Sequence, residues 1–238
     1  MGNYKIDANN RILFSKDMKV VELLDVSCEL LSIFLRLDMQ LPFGDLSIEE
    51  LCRRYSMSSD MFLMLCRIYA GADVHPDMDI LQRDDLQHIV RYLRASHRYY
   101  TDSLLPSIEQ GVDRVLSKCD GRQSTIVRKF YDDYADEVQT HLEYEEQVIF
   151  PYVEQVLRGE VQMADMAQMM ASHSDICDKV DDIKSIIIKY LPESCPTVER
   201  YGLLRDLSDL RDDLAKHTLI ETAVMTPMVV ALENSESL

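Results

Sequence analysis

Leu203, Leu207, Leu210, Leu214, His217, Glu221, Val224, Met228 and Ala231 follow one another in alternating steps of four and three residues. That spacing draws one continuous stripe down a helix face. His217 and Glu221 stand in it where leucine is expected. Three further stripes carry the same anomaly. Leu86, Leu93 and Tyr100 flank His97; Phe130, Tyr134, Val138 and Val148 flank His141 and Glu145; Met166, Met169, Ile176, Val180 and Ile183 flank His173. Breaks at Cys119-Asp120-Gly121, Arg158-Gly159 and Pro192–Pro196 separate the stripes. The pattern predicts an all-α fold, an up-down-up-down four-helix bundle over residues 80–238.

The preceding residues, 1–75, read as a small helical N-terminal domain. One helix is expected from Met18 to Leu37, ended by Leu41-Pro42-Phe43-Gly44-Asp45. Ser47-Ile48-Glu49-Glu50 is a capping box that opens a helix to Tyr55, and Ser58-Ser59-Asp60 opens another to Tyr69. Gly71 to Pro76 is the linker. Two short helices across a tight turn suit a helix-turn-helix, but the second offers only Arg67 as a positive group, which is poor for reading DNA. A packing or dimerisation module fits better and allows a homodimer.

Composition narrows the partners. The chain has 238 residues and a net charge of −17. That acidity argues against nucleic acid and anionic membranes, which need concentrated Lys and Arg. Only 7 Gly and 7 Pro leave room for long elements. The six cysteines form no C-x-x-C pair, and the chain shows neither a signal-peptide pattern nor an uncharged apolar run that spans a bilayer. A reducing cytoplasm with free thiols is therefore expected.

The core histidines repeat with a fixed period. His97 to His141 is 44 residues, as is His173 to His217; His97 to His173, His141 to His217 and Glu145 to Glu221 are each 76. Ala95-Ser96-His97 matches Ala171-Ser172-His173, and each His-x3-Glu pair has a proline ten residues after its histidine, Pro151 and Pro227. A helical hairpin has been duplicated. The sequence midpoints fall at the turns: 119 for the first hairpin, 195 for the second, and 159 between Glu145 and His173. Residues equidistant from a turn lie side by side in such a bundle, so four imidazoles and two carboxylates converge at one depth.

Burying two carboxylates costs several kcal/mol each unless something neutralises them. A cation does so directly. Imidazole with carboxylate suits iron, zinc or manganese, and six ligands exceed the four of a structural zinc. The symmetric solution is two non-haem iron ions, each held by two histidines. Glu145 and Glu221 bridge them, and an oxo or hydroxo bridge supplies a fifth ligand to each. His75 in the linker and His88, on the face opposite His97, are read as surface residues. Cys177, one turn after His173, is read as a core filler whose duplicate is Thr101; Tyr100, Tyr134 and Tyr144 are read as packing.

The ordered set His97, His141-x3-Glu145, His173 and His217-x3-Glu221 resembles the hemerythrin-like (HHE cation-binding) family over residues 80–238. Within it the symmetric ligands look most like the di-iron proteins of iron-sulfur cluster repair, the RIC family. Oxygen carriers add a fifth histidine, which this chain lacks. The resemblance implies a bacterial stress-response protein with a bridged di-iron centre. It would repair or supply iron to iron-sulfur clusters after nitrosative or oxidative damage, with O2 or NO as small ligands and iron-sulfur proteins as partners. An O2/NO sensor and an NO- or peroxide-reducing enzyme are the alternatives, and no catalytic residue is assigned. The small domain of that family carries a Cys-Cys-Gly segment; here Leu41-Pro42-Phe43-Gly44-Asp45 occupies its place.

Overall fold

The structure, a computed structural model, describes residues 5–6, 12–71, 78–117, 119, 122–160, 166 and 175–236. Two short strands, β1 (Lys5–Ile6) and β2 (Ile12–Leu13), pair antiparallel at the N-terminus. The rest of the described chain is helical, with long helices packing in a bundle. Two compact units emerge, Met1–Ala95 with Ile220–Leu238, and Ser96–Leu219. The division falls within two helices.

In the first unit the expected Met18–Leu37 helix is broken in two. It becomes α1 (Val20–Val26), a 3-10 turn (Cys28–Leu30) and α2 (Leu31–Arg36). Ser27 is extended (φ −156°, ψ 130°) and its hydroxyl accepts from the Glu29 amide at 3.2 Å. A serine competing for backbone amides restarts the helix instead of continuing it. The next two starts form as expected. Ser47 and Glu50 close a reciprocal capping box at the head of α3 (Ile48–Arg54), and the Ser58 hydroxyl caps α4 (Ser59–Tyr69).

Helix α5 (Arg83–Tyr99) follows, and its first half packs on these short helices. Buried Arg36 donates to the hydroxyls of Tyr69 and Tyr92, the latter at 3.1 Å, and Tyr92 donates to Tyr69 at 2.6 Å. Arg91 donates to the Leu37 carbonyl at 2.8 Å. His88, read as a surface residue, is half-buried, with Nε2 3.1 Å from the Ser56 carbonyl oxygen. His75 lies outside the described residues.

The second unit holds the bundle core. Its helices are α6 (Leu105–Leu116), α7 (Arg122–Tyr144), α8 (Phe150–Leu157), α9 (Asp175–Tyr190) and α10 (Thr197–Ile220), and α11 (Thr226–Glu236) continues the last one. Ile108 and Val112 from α6 meet Tyr131 and Val138 from α7, Val180 and Ile183 from α9, and Leu207 and Leu210 from α10. Each such aliphatic side chain contributes about 1.5–3 kcal/mol when fully buried. Gly159, with φ 73°, ends the second long helix at the predicted break; a positive φ suits glycine because it has no Cβ.

Among the described residues, three turns of π helix interrupt the long helices: Tyr100–Leu104, Glu145–Ile149 and Glu221–Met225. In each, the amide that follows reaches back five residues, Leu105 to Tyr100, Phe150 to Glu145 and Thr226 to Glu221. A proline stands two residues beyond each turn: Pro106, Pro151 and Pro227. Proline lacks an amide and collides with the carbonyl four residues back, and a widened turn relieves both faults. The extra residue also rotates the buried face. Ile149 is buried where an unbroken period expects Val148, and Val229 is buried while Ala231 turns outward. Phe130 is exposed as well, one position off the stripe set by Val127, Tyr131, Tyr134 and Val138.

The cysteines depart from the expectation of free thiols. Cys119 and Cys195 form a disulfide, with Cα atoms 4.9 Å apart and a sequence separation of 76. The separation is the period of the duplication. Each cysteine sits at the turn of its hairpin, so the two turns meet. Cys28, Cys52, Cys66 and Cys177 are free.

Candidate metal centre

Four of the six predicted ligands come together in the second unit. His97 lies near the end of α5, His141 near the end of α7, Glu145 opens the π turn after α7, and His217 lies in α10. Glu145 is fully buried, and its two oxygens address different histidines. Oε2 is 3.0 Å from His97 Nε2 and 3.8 Å from His217 Nε2; Oε1 is 3.0 Å from His141 Nε2. Ligand atoms of His97, Glu145 and His217 fall within 4.8 Å of one another.

The imidazoles are held in place by their surroundings. His97 stacks on Phe150 with ring centroids 5.1 Å apart, and Tyr100 meets His217 edge-on at 5.7 Å. His97 and His217 turn their Nε2 atoms toward each other at 3.2 Å. Two imidazole nitrogens and one carboxylate oxygen therefore converge on a common point, and each can offer a lone pair to one cation. The donor set suits a metal ion that takes nitrogen and oxygen ligands. His141 is the least enclosed of the three imidazoles, with its side chain 14% exposed.

Glu221 is fully buried one turn beyond His217 on the same continuous helix, as its His-x3-Glu spacing predicts. The sixth predicted ligand, His173, lies outside the described residues.

A further residue joins the group. Glu146 Oε1 accepts from His97 Nδ1 at 2.9 Å. Two consecutive carboxylates thus clasp one ring, Glu145 at Nε2 and Glu146 at Nδ1. Sequence reasoning passed over Glu146 because it lies outside the buried stripe. Its signal was its place beside a ligand, where a carboxylate can orient a histidine from behind.

A family model for the hemerythrin HHE cation-binding domain matches residues 88–229. The chain belongs to this hemerythrin family. The match takes in all six predicted ligands and the helices of the bundle, so the fold is the hemerythrin fold. Among curated relatives, the iron-sulfur cluster repair protein YtfE of Salmonella paratyphi B is 26% identical over 152 residues, covering 63% of this chain and 67% of the relative. The YtfE proteins of Salmonella newport and Salmonella heidelberg match to the same extent. The matched domain is a cation-binding one, and the cluster of imidazoles and carboxylates described above lies within it.

The other sulfur and phenol groups take quieter roles. Burial pushes the Cys52 thiol up to about 12 and the Cys66 thiol well above its ordinary value. Half-buried Cys177 is also raised, chiefly by desolvation, as befits a packing residue. Tyr134 is buried and raised by desolvation, with Cys177 the next contributor.

Proposed function

We propose that the chain is a non-haem di-iron protein that repairs or supplies iron to iron-sulfur clusters damaged by nitrosative or oxidative stress. In this reading His97 and His217 serve one ion and His141 and His173 the other, with Glu145 and Glu221 bridging. The observation that carries the reading is the division of Glu145, one oxygen toward His97 and His217 and the other toward His141. A carboxylate so divided serves two cations better than one. Iron held there would supply a pair of redox-active ions with open coordination positions. The chain's own groups hold the ring orientations, exclude water from the carboxylates and leave His141 as the partly open side. The similarity to the YtfE iron-sulfur cluster repair proteins supports the repair role.

The partial exposure of His141 favours a second reading, in which O2 or NO enters on that side and the protein senses or reduces it. No helix among the described residues is long and apolar enough to cross a membrane. The reading puts the protein in the cytoplasm, where burial shields the Cys119–Cys195 pair from thiol reductants. The test is recovery of a nitric-oxide-damaged iron-sulfur enzyme under anaerobic conditions. The iron-loaded protein should restore activity faster than Glu145→Ala with an equal amount of free iron. Equal recovery contradicts repair and leaves the sensor or reductase.

A further inference from the structure

We propose that Glu146 makes the two halves of the duplicated centre chemically unequal, so that the iron held by His97 and His217 favours its oxidised state over the iron held by His141 and His173. The inference rests on the di-iron reading above.

The duplication supplies the comparison. Adding the 76-residue period to Glu146 gives Thr222, just as it takes Glu145 to Glu221 and His97 to His173. The ligands are copied without change, while the neighbour of the bridging carboxylate is not. In the first half it is an anion; in the second it is the neutral side chain of exposed Thr222.

The geometry gives the difference a route to the metal. Glu146 Oε1 lies 2.9 Å from His97 Nδ1, on the side of the ring away from the convergence point. Nε2 is committed to that point, 3.0 Å from Glu145 and 3.2 Å from His217 Nε2. Phe150 stacks on the ring face. A flip of the imidazole would break the contacts at both nitrogens, so Nδ1 keeps the proton and Nε2 keeps the lone pair. A carboxylate accepting that proton makes the imidazole a stronger electron donor and adds a negative charge behind it. Both effects stabilise the higher charge of oxidised iron. Threonine supplies no such charge. The ligand types repeat, and the charge beside the bridging carboxylate does not.

Glu146 is a positioning residue, and its role is read by potential. The apo protein is loaded with ferrous iron anaerobically and titrated by spectroelectrochemistry. Relative to wild type, Glu146→Gln, which keeps the acceptor oxygen and removes the charge, should move one of the two one-electron steps at least tenfold toward the reduced state, ~59 mV. The other step should move less than twofold. Thr222→Glu places the charge at the duplicated, exposed position and should move the other step toward the oxidised state. It carries the test by itself should Glu146→Gln misfold. Steps that ignore both substitutions, or that move together, overturn the asymmetry. A wild-type chain that takes up no iron overturns the di-iron reading instead.

Discussion

Breaking the Cys119–Cys195 bond should cost the protein much of its stability and leave the metal centre alone. The bond closes a loop of 76 residues. In the chain-entropy account, a cross-link of that span removes about 15 cal/mol/K from the unfolded ensemble, or about 4.5 kcal/mol at 25 °C. Both sulfur-bearing residues are buried, and in that account the loss of the bond falls mainly on the unfolded state. Cys119 is 22 residues from both His97 and His141, which is about 33 Å along a helix. At that distance a change at the turns does not reach the ligands. The assay is urea unfolding of the apo protein, oxidised and reduced, followed by circular dichroism. With a slope near 3 kcal/mol/M, reduction should lower the midpoint by about 1.5 M. The comparison of oxidised with reduced wild type avoids the polar or cavity cost of replacing the cysteines. Equal midpoints, or six titratable thiols in denaturant without reductant, would refute the cross-link. A loss of metal on reduction would refute the claim that the two ends are independent.

Alkylation of the native protein at pH 8 should modify exposed Cys28 and spare Cys52 until the chain unfolds. With a pKa raised to about 12, the Cys52 thiol is ionised in about one molecule in ten thousand at that pH; equal rates at the two cysteines, followed by mass spectrometry, would contradict its burial. Gly111→Val should destabilise by about 1–3 kcal/mol in a thermal melt. Even a methyl group there meets Leu203 Cδ1 at 3.3 Å and a larger side chain overpacks the core; an unchanged melting temperature would show that α6 has room to shift. Deleting residues 1–75 should leave a fragment, 76–238, that still binds metal, because all six proposed ligands lie within it, although loss of the Arg36 contacts to Tyr92 should lower its melting temperature. A fragment that aggregates without metal would argue against that domain division.

The long helices and the convergence of His97, His141, Glu145 and His217 were legible because duplication and periodicity reinforce each other. One buried histidine says little; four at equal distances from two turns fix their own depth. The misses have separate physical causes. The 3.6-residue period assumes an unbroken helix, so the π turns before Pro106, Pro151 and Pro227 displaced the predicted faces at Val148 and Ala231. Pro151 and Pro227 had been counted as part of the repeat, and the effect of the prolines on the turn before them was the unread signal. Ser27 broke α1 for a reason that periodicity cannot carry, since its hydroxyl competes for a backbone amide. Cys119 and Cys195 were already placed at the two turn midpoints, 76 residues apart, and compartment reasoning overrode the geometry that pairs them. Glu146 was missed because hydrophobic stripes reveal what faces the core, and an orienting group stands behind the ligand on the half-exposed side.

The central claim is that one buried carboxylate, Glu145, serves two ions, and the most direct measurement is metal content. The full chain should be purified anaerobically after iron-replete expression and analysed for metals per chain, beside Glu145→Ala. The account predicts two irons in the wild type and loss of both in the variant, because a bridge removed fails both ions. One zinc per chain, no metal at all, or two irons retained without Glu145 would contradict it.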